Sequence, residues 1–339
     1  MTGIVVEDLS TNNTVATVCA GCGRLDNFRI VSSYRFNVKY DVKYFPCKSL
    51  LECHYCKLVF AHPLPSIETL AEYYSNVYRA KGRPHFCEIP PTVSSRHLAY
   101  LSYITSFIDL KKISNIYEVG AGWGEIGFLL KELYPEISIY TKEPDIHVQQ
   151  NLINSGYTII DDKSEVLITY DLIISTHSME HFNNCDKFFK TLPNLRCGGY
   201  LFIEVPNCPI DIGWLDRPYD SPHLLFFNQI SLKNIFSQAD FTNIAMSVAG
   251  HSLNADFEIC RLWKSRFENW TPGKARFNPL VIFNAKSIIK RIVPKKVWSI
   301  LRETLVGSAK QSIEDTASEF NNSSEQGWLL RGIFIKDCE

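Results

Sequence analysis

Three sets of side chains in this sequence have types and spacings suited to chemistry. In the run Ile116-Tyr-Glu-Val-Gly-Ala-Gly-Trp-Gly-Glu-Ile-Gly127, Gly120, Ala121, Gly122 and Gly124 lie between a strand-like apolar stretch and the start of a helix. Glycines at such a turn let the backbone bend sharply and approach a ligand with no Cβ in the way. The helix start then offers free N–H groups and partial positive charge to an anionic group. Glu143, at the end of the next strand, is placed to accept both hydroxyls of an adenosine ribose. Gly122-Trp-Gly-Glu-Ile-Gly127 also fits the dinucleotide fingerprint, so the turn alone does not settle which nucleotide binds. The second set is Glu180-His181 and His223, on segments that follow the expected fourth and fifth strands. Open α/β sheets bind ligands at that edge, and imidazoles there suit proton transfer near neutral pH.

The third set is Cys19-x-x-Cys22 and Cys53-x-x-Cys56. Each pair offers two thiolates on one tight turn, and four thiolates close a tetrahedral zinc site with no open position. Such a site is structural rather than catalytic. Cys47 and His54 lie nearby but fall outside the paired spacing. Disulfides and free thiols are the other fates of these cysteines.

These groups need elements to hold them. The chain has 339 residues, enough for about two domains, with 45% hydrophobic and 21% charged residues, an ordinary globular balance. A polar lead-in (1–17) precedes the cysteine ribbon (18–62), where Phe36-Asn-Val-Lys-Tyr40 alternates like a strand. A helical connector or lid (63–112) follows, with helices expected over Ile67–Tyr78, capped by Ser66, and over Ser94–Asp109. From 113 to 254 short apolar runs alternate with amphipathic segments. The strands expected are Asn115–Val119, Ile137–Thr141, Tyr157–Ile160, Tyr170–Thr176, Tyr200–Val205 and Asn243–Val248; the helices are Glu125–Leu133, Ile146–Asn154, Cys185–Leu195 and Leu232–Ala239. This is an α/β chain: a Rossmann-like, doubly wound parallel sheet covered on both faces. A helical insertion (255–325) separates it from a last strand and tail (326–339), read as an antiparallel addition near the sheet edge.

Net charge is −1, which disfavours nucleic acid as a partner. No stretch is long and apolar enough for a membrane helix, and the N-terminus lacks the pattern of a secretory signal, so a cytoplasmic location is expected. Eleven cysteines spread over the chain, four of them in tight pairs, favour metal over disulfide in a reducing compartment. Lys286–Arg302 mixes cations with large apolar residues and reads as helices over the substrate cleft or a peripheral membrane contact. Pro294 interrupts any single long helix there. The sequence does not indicate an oligomeric state.

In its ordered motifs the chain resembles the class I S-adenosylmethionine-dependent methyltransferases, in particular the branch acting on sugars and small metabolites. The Glu118-x-Gly-x-Gly-x-Gly124 run matches that family's first motif. Tyr170-Asp-Leu-Ile-Ile-Ser-Thr-His-Ser-Met-Glu-His181 is similar to its fourth-strand motif. Leu195-Arg-Cys-Gly-Gly-Tyr-Leu-Phe-Ile-Glu-Val-Pro-Asn207 is similar to its glycine turn and fifth strand, and Pro222-His223 to its histidine segment. The resemblance implies S-adenosylmethionine as cofactor. Gly120, Gly122 and Gly124 would line its methionine part, Glu118 would fix the glycine loop, and Glu143 would hold the ribose. Thr176 and His177 would border the reacting methyl, Asp162 would meet the adenine amino group, and Tyr78 would close over the cofactor. The cysteine module resembles the N-terminal zinc module of sugar C-methyltransferases. Those enzymes carry Tyr-x-Glu-His around the second histidine, whereas this chain has Tyr219-Asp-Ser-Pro-His223. The expected activity is therefore methyl transfer to a sugar hydroxyl of a nucleotide-sugar or surface-glycan precursor, with one of His181 and His223 the base, the other orienting the acceptor, and Glu180 holding an imidazole or contacting the cofactor. A sugar C-methyltransferase, a zinc-finger RNA base methyltransferase and a non-catalytic zinc-ribbon binding module are the alternatives.

Overall fold

The alternation of side chains along each strand decides how this molecule is layered. The computed structural model describes residues 14–34, 43–81, 95–161, 168–192, 194–208, 223–249 and 327–338. Asp162, the 36–40 run, Tyr219 to Pro222 and the whole 255–325 insertion, with its 286–302 segment, lie outside the described residues.

The central sheet has seven strands: β5 (Asn115–Val119), β6 (Ser138–Thr141), β7 (Tyr157–Ile159), β8 (Tyr170–Thr176), β9 (Leu195–Pro206), β11 (Phe241–Ala249) and β12 (Leu329–Lys336). Their order is β11-β12-β9-β8-β5-β6-β7. The five strands from β9 to β7 run parallel, and β12 is antiparallel to both β9 and β11. The late strand thus sits one place in from the edge, where its all-apolar central run Ile333-Phe334 is covered on both sides.

Each face of the sheet has its own core. Ile116, Leu172, Ile174, Phe202 and Ile333 point to one side, where α2 (Ser95–Phe107), α3 (Glu125–Leu133) and α4 (Ile146–Asn154) bring Ile104, Ile126, Leu130, Val148 and Leu152. Tyr117, Tyr170, Ile173, Leu201 and Ile203 point to the other, against Phe188 of α5 (Cys185–Thr191) and Ile235 and Phe236 of α6 (Gln229–Ser237). A period of two along strands with both faces covered is what near-continuous apolar runs require.

The second core also takes in the cysteine ribbon. Strands β1 (Thr14–Val18), β2 (Leu25–Ser33), β3 (Ser49–Glu52) and β4 (Val59–His62) form an antiparallel sheet, completed by β10 (Leu225–Phe226) from beyond the fifth parallel strand. Phe28, Leu50 and Phe60 of the ribbon join one buried cluster with Phe226, Phe227 and Ile235. The chain segment that carries His223 is therefore held by the ribbon.

Two expectations are corrected, and one link is new. The helix expected over Ile67–Tyr78 is α-helical only in α1 (Ile67–Glu72); Tyr73–Val77 forms a wider π turn, closed by the Tyr78 N–H on the Tyr73 carbonyl. That turn packs the Tyr73, Tyr74 and Tyr78 rings edge-on and tilted against one another. Helix α5 stops at Thr191, since Pro193 disfavours helical backbone at the preceding Leu192, and strand β9 already begins at Leu195, where Arg196 pairs with Asp171. A disulfide joins Cys197 to Cys338, tying the start of β9 to the residues after β12, a pairing no cysteine spacing in the sequence announces.

Candidate functional site

Strand β5 ends at Val119 and the chain turns through Gly120, Ala121 and Gly122 to Gly124, which caps α3. Gly120 has φ +65°, and a Cβ there would lie 2.3 Å from Ser178 Oγ. Ser178 in turn donates to the carbonyls of Val119 (3.1 Å) and Thr176 (3.2 Å), so the ends of β5 and β8 are laced together over the turn. Only a residue without a side chain fits this backbone and this neighbour.

Glu118 is fully enclosed. The Tyr157 hydroxyl donates to it and accepts from the Gly127 N–H at 2.8 Å. Glu118 thus steadies the first turn of α3 through Tyr157, a partner the motif did not reveal. Burial pushes its carboxyl up to about 8; the Tyr157 hydrogen bond opposes this, and the nearby Glu125 and Glu143 add to it. Glu143, at the end of β6, is buried and accepts from the Asp145 N–H at 3.1 Å. Burial raises its pKa as well, against the pull of Arg79. Asp145 caps α4 by accepting from the His147 N–H at 2.9 Å, and its other oxygen pairs with Arg79 at 3.1 Å. Tyr78 stands beside Arg79, its ring 5.1 Å from the guanidinium carbon. So Glu118, Gly120, Ala121, Gly122, Gly124, Glu143 and Tyr78 gather at one end of β5 and β6.

Thr176 and His177 end β8 in the same crevice. His177 takes φ +49°, a conformation rare for a non-glycine residue and more frequent for His than for most. It is held by two carboxylates: its Nε2 lies 2.9 Å from Glu204 Oε1 and its Nδ1 3.3 Å from Glu180 Oε1. Glu204, fully buried on β9, also pairs with the buried Arg331 of β12. His177 thus stands closer to Glu180 than His181 does, at 4.0 Å. This is a tertiary fact, since Glu204 and Arg331 belong to strands that no motif links to His177.

A short 3-10 turn, Met179–His181, then turns Glu180 inward and His181 toward His223, with ring centroids 5.0 Å apart. The Leu224 N–H donates to the Glu180 carbonyl at 2.8 Å, which ties the two histidine segments together. Tyr34 of the ribbon donates its hydroxyl to the His223 carbonyl at 2.9 Å, and Tyr74 lies edge-on to His181. Burial would raise the Glu180 carboxyl, but His177, His181 and His223 outweigh it and hold it down to about 2. Burial, with His181 next to it, pulls His223 down to about 3, against Glu180. The ligand atoms of Glu180, His181 and His223 lie within 4.8 Å of one another, a set able to do acid–base work or to grip a cation. Tyr34, Tyr74, Arg79, Tyr157 and Glu204 were not singled out by the sequence; their only signal was aromatic and charged residues beside the motifs.

The four cysteines of the ribbon also converge, all four sulfurs lying within 4.8 Å of one another. Sγ–Sγ distances are 3.6 Å for Cys19–Cys56 and 3.8 Å for Cys22–Cys53. Backbone N–H groups of Gly21 and Cys22 point at the Cys19 sulfur, and that of Cys56 at the Cys53 sulfur. Each turn ends in a left-handed residue, Gly23 and Lys57. N–H groups aimed at sulfur stabilise thiolates, so the donor set fits a closed four-thiolate metal site. His54 faces Asp26 instead, at 3.4 Å.

Residues 94–246 match the model of a family described as a methyltransferase domain. The chain carries a methyltransferase domain. The match supports an enzyme, and the parallel sheet with its glycine turn is a Rossmann-like fold of the kind class I methyltransferases have. No curated protein matches the chain. Among solved structures, the plantazolicin methyltransferase BpumL, in complex with a pentazolic desmethylPZN analog and SAH, is 13% identical at a TM-score of 0.40, covering 72% of this chain and 84% of that one. A SAM-dependent methyltransferase from Archaeoglobus fulgidus is 16% identical at 0.41, covering 71% and 94%. Coclaurine N-methyltransferase bound to N-methylheliamine and SAH is 13% identical at 0.42, covering 79% and 78%. Among the described residues no helix is long and apolar enough to cross a membrane.

Proposed function

We propose that this methyltransferase, in the cytoplasm, moves the methyl group of S-adenosylmethionine to a hydroxyl of a sugar on a nucleotide or glycan precursor. The observation that carries the chemistry is the His181–His223 pair, held over buried Glu180 at the same sheet edge as the glycine turn. The sugar acceptor is supported by the likeness of the cysteine module and the Glu-His segment to sugar methyltransferases.

The crevice fits the cofactor. Gly120 and Gly122 leave room that a Cβ would fill, and Glu143, with its pKa raised mainly by burial, suits paired neutral hydroxyls. Gly120, Ala121, Gly122 and Gly124 would frame the methionine part, Glu143 the ribose, and Thr176, His177 and Tyr78 the reacting end. When bound, the cofactor supplies a methyl already activated by a sulfonium. The chain must then place the acceptor oxygen in line and take its proton; positioning and a general base are each worth several kcal/mol or more. His181 is the group we assign to the proton. Glu180 lies 4.0 Å from its Nε2 and stabilises the imidazolium that forms. His223, pulled down to about 3, stays neutral at working pH and orients the acceptor by hydrogen bonding. Cys19, Cys22, Cys53 and Cys56 would hold a structural zinc that fixes the ribbon and, through Tyr34, the His223 segment.

A carbon acceptor is the second reading. Glu180 packs beside both histidines and supplies the carboxylate that the Pro222-His223 run lacks in sequence. Labelled methyl donor with a panel of nucleotide-linked sugars decides between them: the product methyl carries the carbon chemical shift of a methoxy group for oxygen transfer or of a C-methyl for carbon. Transfer to no sugar, with turnover on another acceptor class, would reject the assignment.

A further inference from the structure

Glu180 is a carboxylate in an unusual place. It is fully buried, and among the described residues neither of its side-chain oxygens receives a hydrogen bond. A carboxylate taken out of water ordinarily has donors or a cation on it, because nothing else offsets the lost hydration. His177 Nδ1 stands 3.3 Å from Oε1 without hydrogen-bond geometry, and His181 Nε2 stands at 4.0 Å. One ligand atom from each of Glu180, His181 and His223 lies within 4.8 Å of the other two. The backbone holds them there. The 3-10 turn sets Glu180 and His181 side by side, and the Leu224 N–H on the Glu180 carbonyl brings in His223. The Tyr34 hydroxyl on the His223 carbonyl ties that segment to the ribbon. His177, with its Nε2 on Glu204 at 2.9 Å, braces Glu180 from the side.

We infer that Glu180, His181 and His223 form a second metal site, separate from the four thiolates, which takes a zinc-like divalent cation and inhibits the enzyme when filled. Imidazole nitrogen suits zinc, cobalt and copper, whereas magnesium and calcium prefer all-oxygen shells. Three protein ligands leave a coordination position open, unlike the closed cysteine site. Bonds of about 2.0–2.2 Å put tetrahedral ligand atoms roughly 3.4 Å apart, so about 1 Å of side-chain rotation closes the set. An imidazole nitrogen bound to a metal has no lone pair left for a proton. Occupancy therefore removes His181 as base. The inhibition rests on His181 being that base; the site does not.

Cobalt(II) titration of the full chain, its ribbon first loaded with zinc, tests the site by visible absorption. Wild type is expected to take up one further ion per chain, with ligand-field bands but without the charge-transfer band that thiolate ligation gives. His181→Ala, His223→Ala and Glu180→Gln should each weaken uptake at least about tenfold, with thermal melting to confirm the fold. Glu180→Gln, matched in size, carries the test if an alanine variant does not fold. His147→Ala, on the exposed side of α4, is the control and should change nothing. No uptake beyond the ribbon, or uptake that the three variants leave unchanged, would overturn the site. Displacement of the cobalt by equimolar magnesium would overturn the cation class. In the labelled-methyl assay, zinc beyond that held by the ribbon should stop transfer and a chelator should restore it; faster transfer with zinc would overturn the inhibitory role. A chain that methylates no sugar but binds cobalt as described would lose its proposed acceptor and keep this site.

Discussion

Replacing Gly120 by Ala separates two costs that a glycine turn usually confounds. The first is backbone: at φ +65° an L-residue costs about 1–2 kcal/mol. The second is contact. The new Cβ would sit 2.3 Å from Ser178 Oγ, and moving that hydroxyl breaks its bonds to the Val119 and Thr176 carbonyls. Overpacking of this kind adds about 1–3 kcal/mol. Gly198 is the control. Its φ is +66°, but the nearest atom to its Cβ position is the end of the Arg196 side chain, at 3.8 Å. Gly198→Ala should therefore show the backbone cost alone, a drop in Tm of about 2–8 °C with unchanged affinity for S-adenosylhomocysteine. Gly120→Ala should lose more stability and, because the loop must shift to relieve the clash, bind the ligand at least about tenfold more weakly, one decade being about 1.4 kcal/mol. Thermal scans and calorimetric titrations of both variants measure this. If the two lose the same stability and Gly120→Ala binds as tightly as wild type, the lacing of β5 to β8 through Ser178 has no part in shaping the crevice.

Three further outcomes are expected. His181→Ala should lower turnover by roughly 10²–10⁴-fold with cofactor affinity retained, while His223→Ala should mainly raise KM for the acceptor; full turnover in both, by a labelled-methyl assay, would end the base assignment. Glu118 is raised to about 8 in the folded chain, so it binds a proton there that the unfolded chain releases above about pH 4.5. Its contribution is complete at low pH and is lost as pH rises toward 8, so Glu118→Gln should flatten the fall in stability between about pH 4.5 and 8 in denaturant titrations; an unchanged slope would show that Glu118 ionises normally. Purified protein should carry one zinc per chain by elemental analysis, and Cys22→Ser should lose it and lower Tm; a metal-free wild-type chain of equal stability would remove zinc from the account.

Much of this enzyme could be read from residue order. The strands β5 and β8 and the helices α3 and α4 fall where the apolar runs and caps put them, because their periodicities are local. The cysteine pairs announce a cluster because x-x spacing is itself a turn. What escaped the sequence depended on neighbours from elsewhere in the chain. Tyr157 reaches Glu118 only because β7 lies beside β6, and Glu204 reaches His177 only because β9 lies beside β8. The π turn at Tyr73–Val77 follows from tyrosine packing that no helical period encodes.

By itself, then, the sequence determined the α/β alternation, the glycine turn with its following acid, and the paired thiols, since each rests on spacing along one stretch of backbone. Tertiary structure alone decided that β10 would pair with β4, that Tyr34 would reach the His223 carbonyl, and that Arg79 would stand over Gly122. Those contacts join segments far apart in the chain, and only the burial of shared apolar faces brings them together.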